Sequence, residues 1–464
     1  MAYTKSQLLS QLNDPGSPFI TALRTQYSNQ QVVSSKIARI TNILASPELS
    51  LHEEVIITRC PGRISLSKHA DYINNDLLYT LGDRDIYLAA QIIDEPKLIL
   101  INSGQDFDDY EIGLENLDQV DKTSWAFYPA ALYQALIKSG QGMVLVYNSD
   151  LPAAGGLSSS HALMLSTAIA MLGVSDQRLT PNTEHLINLC QQVENARGFS
   201  SGLGDQSAQL LCRKDHFAFI KLFPEPGAPA NIEYRKLPDD LAIISAPSFI
   251  KADKSLPEFQ VANTNIQAYK QINELSHQYG CEFLGDLLYK FTEEKIFMIL
   301  ESIEDKSLRG LALYGLAEAA RVKALKEHLD LESLGRHLNL SHQAERNYYY
   351  NNETQNWEAL SLEEKLNYKF NPNEALASHS GIYLASTIVN DQLQSFSNSL
   401  RGVYGSSISG AGLGGNNTIV CNKDSAEAVK AQLLDGFYRQ RNLEAEAQDK
   451  VHISSSSAAA SRVI

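Results

Sequence analysis

The chain has 464 residues, 44% hydrophobic and 20% charged, an ordinary balance for a globular protein with room for two or three cored domains. With 54 Asp and Glu against 39 Lys and Arg, the formal charge is −15. That charge argues against nonspecific binding to nucleic acid or acidic membranes, and it obliges an anionic substrate to find a locally basic pocket. Cys60, Cys190, Cys212, Cys281 and Cys421 are scattered and form no CxxC pair. Neither zinc nor a disulfide framework is expected, and a reducing cytoplasm fits. The start, MAYTKSQLLSQLNDPG, is polar with no signal-peptide core, and no apolar run reaches the roughly 18 residues of a membrane span.

In chain order, residues 1–50 have apolar positions (Ile20, Leu23, Ile37, Ile40, Leu44) at helical spacing and predict a helical extension. Strands are predicted over 54–58, 85–93 and 98–101, with Asp94-Glu-Pro as the turn between the last two. A helix follows over 125–138, a strand over 143–147, a helix in the apolar run 162–172 and another over 183–197, ending near Gly198. Strands are expected over 217–222 and 241–245. The Pro-rich stretch 223–229 between them reads as a surface hairpin or a domain edge. Residues 260–400 read as mostly helical, with an aromatic, polar insertion or long loop over 347–373. A strand over 418–421, a helix over 425–437 and a terminal segment around Val451 complete the chain.

Four segments carry chemistry. Asp150-Leu-Pro-Ala-Ala-Gly-Gly-Leu-Ser-Ser-Ser-His-Ala-Leu163 is a glycine-rich turn feeding a helix. Backbone N–H groups and the positive helix end make such a turn an anion cradle, and its hydroxyls can add a Mg²⁺ ligand. It lacks the Gly-Lys-Ser/Thr ending of a Walker A loop; simple N-capping is the competing explanation. Ser407–Gly415 holds four glycines in nine residues, which allows close backbone approach to a ligand. Pro61–Tyr72 groups Arg63, Lys68, His69 and Asp71 just after a strand. In Glu194–Gln206, Gly198, Gly202 and Gly204 lead to Asp205, a carboxylate placed to accept a proton from a substrate hydroxyl, and Glu194 lies at a helix end within reach of Mg²⁺.

Taken together and in this order, the four segments resemble the GHMP kinase superfamily, and its galactokinase branch in particular. Residues 61–72 resemble the galactokinase signature Pro-Gly-Arg-Val-Asn-Leu-Ile-Gly-Glu-His-Thr-Asp-Tyr. Leu334–His342 resembles the branch's Leu-Gly-x-Leu-Met-x-x-Ser-His segment, and Gly402–Gly415 its last glycine-rich segment. The resemblance spans residues 55 to 460 and leaves residues 1–50 unexplained. It implies an α+β fold in two parts, over 51–240 a domain like ribosomal protein S5 domain 2 and over 241–464 a ferredoxin-like domain, with residues 1–50 as the extension. It also implies transfer of the γ-phosphoryl group of ATP to the anomeric hydroxyl of galactose or a related sugar, with Mg²⁺, by a cytoplasmic protein whose partners are small molecules, neither nucleic acid nor membrane.

Residue by residue, the resemblance makes Asp205 the catalytic base and Arg63 the arginine beside it. Gly155, Gly156, Leu157, Ser158, Ser159 and Ser160 become the triphosphate loop, completed by Gly410 and Gly412. Ser159, Ser160 and Glu194 become Mg²⁺ ligands. His69, Asp71 and Gly204 fall at the sugar, with Phe259 loosely aligned to a sugar-contacting tyrosine. Lys68 stands where the branch has a glutamate. An ammonium facing the sugar there would favour a hexuronic acid such as galacturonate; otherwise Lys68 turns outward to solvent. His161 replaces the branch's alanine and is expected to point outward, the alternatives being a cap for the loop or a phosphate contact. A noncatalytic sugar and ATP sensor, or a kinase for mevalonate, homoserine or a polyol, are the competing functions.

Overall fold

The computed structural model describes residues 3–463 apart from 70, 105–106, 154, 176–181, 199–200, 224–229 and 251–258, and gives no side chains for 259–263. Most of the Pro-rich stretch 223–229 and the side chain of Phe259 therefore lie outside the described residues.

The strands Glu54–Ser65, Leu77–Ile93 and Gly142–Ser149 form the centre of a nine-stranded sheet. Their pairings are antiparallel, whereas Lys97–Asn102 pairs parallel to Gly142–Ser149. Alternate residues face opposite sides of a strand, and here both sides are apolar. Leu88, Ala90, Met143 and Leu145 pack under the helices Phe127–Leu136, Ser159–Ser175 and Thr183–Ala196. Val55, Ile57, Tyr87, Ala89, Val144 and Val146 pack on the opposite face. That second face is covered by residues 3–50. The helices Lys5–Leu12, Pro18–Thr25 and Val33–Leu44 bury Leu8, Phe19, Ile20, Leu23, Ile40 and Ile43 against it.

A buried ionic cluster fastens this cover. Asp85, with no exposed surface, pairs with Lys36 (3.2 Å), Arg39 (2.8 Å) and Arg59 (2.8 Å), and also accepts a hydrogen bond from Tyr27. The chain's end is woven into the same place: Ser461–Arg462 pairs with Glu54–Ser65, and the Ser457 hydroxyl accepts from Arg59 at 2.6 Å.

The second sheet has four strands: Leu241–Pro247, Val403–Ile408, Asn416–Asn422 and His452–Ser454. It packs on the helix Ile388–Asn398 and on residues 426–438, through Leu393, Val429, Leu433 and Phe437. A third core forms where Tyr269, Phe297, Leu313 and Tyr314, all from the helical stretch 259–327, meet Ile73 and Tyr383. The two sheets meet through Ile64, Leu66, Leu78, Phe217, Ile243 and Val420, with Leu334 and Leu338 of the helix Leu331–Glu345 between them. The aromatic stretch 347–373 has structure of its own: Tyr348–Asn351 and Asn356–Ala359 form a hairpin, followed by a short helix. No helix among the described residues is long and apolar enough to cross a membrane.

Candidate active site

The strand Glu54–Ser65 ends at the seam between the sheets and carries Arg63 into it. Gly62, one residue earlier, leaves room for the Leu151 side chain and the Leu157 carbonyl, which a Cβ there would approach to 2.4 and 3.3 Å. Arg63 is buried and grips Asp205 with two parallel bonds, Nε to Oδ1 at 2.6 Å and Nη2 to Oδ2 at 2.9 Å. Such a fork fixes the direction of a carboxylate as well as its charge. The remaining guanidinium nitrogen donates to the Gly156 carbonyl, and the Ser409 hydroxyl donates to the same oxygen at 2.7 Å. Three of the four sequence segments thus meet around Arg63, and the fourth supplies Ser409.

Gly156 lies at φ +71, and a Cβ on it would come within 2.7 Å of the Ser409 carbonyl. Gly410, at φ +70, lies 3.3 Å from Gly156 by the same measure. The two glycine-rich loops therefore touch backbone to backbone, which no other residue pair permits. Gly412 packs against Ala385 instead. Leu157 acts through its backbone: its carbonyl accepts from the Arg63 amide at 3.2 Å while its side chain enters the apolar core. Gln209, not singled out from the sequence, ties the same loops together by donating to the carbonyls of Pro61 (2.9 Å) and Ser158 (3.0 Å).

Asp205 sits in the first turn of the helix Gly204–Leu211, its side chain 28% exposed. Burial alone would raise its carboxyl, but the charge of Arg63, then that of His161, and hydrogen bonds from Arg63 and Ser158 outweigh it and bring it down to about 2. His161 does not point outward as expected. It is buried, with Nδ1 3.2 Å from the Ser158 hydroxyl and 3.9 Å from Asp205 Oδ2. The reason is helical phase: His161, Met164, Leu165 and Ala168 share one buried face of the helix Ser159–Ser175. Ser158, at φ +63, holds a conformation uncommon for a residue with a side chain, at the point where the loop turns into that helix.

The glycines before Asp205 make room for Asp71. The Gly204 amide donates to Asp71 Oδ2 at 3.0 Å, and a Cβ on Gly202 would fall 1.8 Å from that oxygen. Burial raises the Asp71 carboxyl, the Gly204 bond opposing it. Lys68 does not turn outward either. Its ammonium is buried between Glu345 Oε2 (2.7 Å) and the Ser407 hydroxyl (2.8 Å), and burial lowers its pKa while Glu345 opposes that. His69, at φ +51, stacks on Tyr383 with ring centres 3.7 Å apart. Glu345 carried no role in the sequence reading.

The Ser341-His342 pair is a brace. His342 bonds Asp391 through Nε2 at 2.9 Å and accepts from the Ile408 amide through Nδ1 at 3.3 Å, which sets the strand that leads to Ser409. The Ser341 hydroxyl donates to Glu318, the same carboxylate that accepts from the Lys68 amide.

Ser159 and Ser160 open the 17-residue helix Ser159–Ser175 at the Gly155–Ser158 turn, which points the positive end of its dipole at the site. Glu194, fully buried near the end of the neighbouring helix Thr183–Ala196, shares a hydrogen bond with Tyr128. Among the described residues, no group of three His, Cys, Asp or Glu side chains could hold a metal alone. Two hydroxyls and one carboxylate are hard oxygen donors that suit Mg²⁺ delivered with substrate phosphates.

Comparison with known proteins bears on the fold and the family. Residues 127–213 match the GHMP kinases N terminal domain. The chain is 25% identical to a galactokinase of Roseiflexus sp. over 401 residues, 84% of this chain and 88% of that protein. It is 24% identical to a galactokinase of Ligilactobacillus salivarius over 80% of this chain and 86% of the relative. In structure it is similar to Lactococcus lactis galactokinase complexed with galactose, with a TM-score of 0.70 at 18% identity over 93% of this chain and all of that one. It is also similar to a mevalonate kinase, with a TM-score of 0.50 at 14% identity over 87% of this chain. The mixed α+β architecture, the matched domain and relatives aligned over most of their length support a galactokinase-like GHMP sugar kinase.

Proposed function

We propose that the chain transfers the γ-phosphoryl group of ATP to the anomeric hydroxyl of galactose or a closely related sugar, with Mg²⁺ as cofactor. The fork between Arg63 and Asp205, set against the Gly156 turn, carries the reading. It places a carboxylate that stays ionised at neutral pH beside a backbone suited to phosphate.

Asp205 orients the sugar hydroxyl. As the O–P bond forms and the bond to ADP breaks, the hydroxyl proton passes to that carboxylate. A carboxyl near 2 is a weak base, so the proton moves late, as suits a loose transition state in which positioning and charge stabilisation dominate. Arg63 keeps Asp205 ionised and offsets negative charge next to the transferring group. The Gly155–Ser160 turn and the helix it opens receive the phosphates, with Gly410 closing the loop from the second sheet. Ser159, Ser160 and Glu194 would hold Mg²⁺, which supplies charge neutralisation between the phosphates. The intact Arg63–Asp205 fork favours catalysis over a noncatalytic sensor.

Sugar-dependent ADP release from Mg-ATP tests the reading, with galactose, galacturonate, glucuronate, N-acetylgalactosamine and arabinose offered in turn. Turnover of galactose or a close neutral relative is expected. Binding of sugar or ATP with no turnover of any sugar would favour the sensor instead.

A further inference from the structure

Lys68 and Glu345 form a buried pair 277 residues apart in sequence, and the pair is not closed on itself. Glu345 Oε2 takes the Lys68 ammonium at 2.7 Å, but Glu345 Oε1 has no hydrogen-bond partner. Opposite it, 3.6 Å away, is His69 Nε2, likewise buried and without one. Buried polar atoms left unmatched are costly and uncommon, and here a carboxylate oxygen and a ring nitrogen face each other just beyond bonding distance. The ring stacks on Tyr383, and Lys68 holds the carboxylate. Two residues beyond His69, Asp71 takes the Gly204 amide beside Asp205. On the other side, Ser407 lies two residues before Ser409, which bonds the Gly156 carbonyl. The unmatched atoms therefore border the proposed sugar site.

We infer that Glu345 is a specificity-determining residue, whose carboxylate, held by Lys68 and partnered by His69, receives one uncharged hydroxyl of the sugar. This rests on the sugar-kinase reading and deepens it. A hydroxyl satisfies both atoms at once, donating to Glu345 Oε1 and accepting from His69 Nε2. A carboxylate from the substrate has no proton to donate to Glu345 and would add a second negative charge beside it. The Lys68 ammonium is already matched by Glu345, so the position selects a neutral sugar over its uronic acid. Neither atom is open to solvent, so sugar entry includes a local movement of His69 away from Glu345.

The test compares kcat/KM for galactose, its 2-, 3-, 4- and 6-deoxy forms and galacturonate in the unmodified protein, in Glu345→Gln, and in the double variant Lys68→Met/Glu345→Leu. The double variant removes both charges together, so it stays informative if a lone buried charge prevents Glu345→Gln from folding. The unmodified protein is expected to lose about 100-fold on one deoxy sugar, the scale of a lost hydrogen bond to a charged group. In the double variant, which has no charged acceptor, that penalty is expected to shrink to about fivefold or less, with the ratios among the other sugars unchanged. A purely structural ion pair would lower activity on every sugar alike. An unchanged deoxy-sugar profile, or galacturonate outpacing galactose in the unmodified protein, would overturn the inference while leaving the kinase reading intact. Absence of turnover on every sugar in the unmodified protein would remove the kinase reading and this inference with it.

Discussion

Asp205→Asn is expected to lower kcat by about a thousandfold, the middle of the range for loss of a positioned proton acceptor, with KM for ATP and sugar changed only a few-fold. The amide keeps the shape of the side chain but cannot accept the hydroxyl proton, and it leaves the Arg63 fork facing a neutral group. Because Asp205 touches the reacting hydroxyl in this account, the loss falls on turnover rather than on binding. Its carboxyl, held down to about 2 by Arg63 and His161 against the pull of burial, is charged at every pH where the protein is assayed. No acid limb in kcat from this group is therefore expected above about pH 4. Steady-state kinetics on the purified variant check this, and more than a tenth of the original kcat surviving would remove Asp205 from its role.

The largest effect on stability is expected at Asp85. Asp85→Asn keeps the volume but takes the anion from Arg59, whose side chain is 0% exposed, and leaves Lys36 and Arg39 with Asp150 alone, at 2.7 and 2.8 Å. Removing one partner of a buried ion pair costs about 3–5 kcal/mol, and here the uncompensated charge is that of the fully buried Arg59. Burial would raise the Asp85 carboxyl, but Lys36, Arg59 and Arg39 outweigh it and hold the group well below the usual carboxylate range. A depressed folded-state pKa means that the contribution is fully present above the unfolded value near 3.9 and is lost as pH falls below it. Urea unfolding at pH 7 is therefore expected to separate the two proteins widely, and the gap to narrow on acidification below about pH 4. Proteolysis should find residues 1–50 first in the variant, since the cluster fastens them to the sheet. A loss of under about 1 kcal/mol at pH 7 would show that the apolar face alone holds the extension.

How far the sequence carried these conclusions differs from element to element. The central strands were legible because Ile56 to Thr58, Tyr87 to Ala90 and Met143 to Val146 are apolar or buried on both faces. The first half of Leu77–Ile93 was not, because the charged run Asp83, Arg84 and Asp85 interrupts the apolar pattern and the predicted strand begins only at Asp85. Their charge is tolerated there only through distant partners such as Lys36 and His452, which no local pattern reveals. Val403–Ile408 was hidden by Gly405, Ser406 and Ser407, and Asn231–Lys236 by its exposed polar positions.

At the site, the glycine-rich turns and the Arg63, Asp71 and Asp205 positions were visible as motifs, but their reasons were not. The motif suggested that Gly202 and Gly204 present Asp205, whereas the structure adds that they clear space for Asp71. Helical phase would have turned His161 inward, since Met164, Leu165 and Ala168 follow it at intervals of three, four and seven. The same phase puts Glu345 in line with Leu334, Leu338 and Ser341. A carboxylate on a buried face requires a cation, but nothing local identifies Lys68 as that cation. Reading Lys68 alone suggested an anion reader, and only the paired geometry shows its charge already matched.

The most direct test of the central claim is the position of the phosphate on the product. Incubation of the protein with Mg-ATP and galactose, followed by ³¹P and ¹H NMR of the sugar fraction, is predicted to give a phosphate coupled to the anomeric proton, with no such product from Asp205→Asn. A phosphate on any other carbon, or ATP hydrolysis with free sugar left unmodified, would contradict the account.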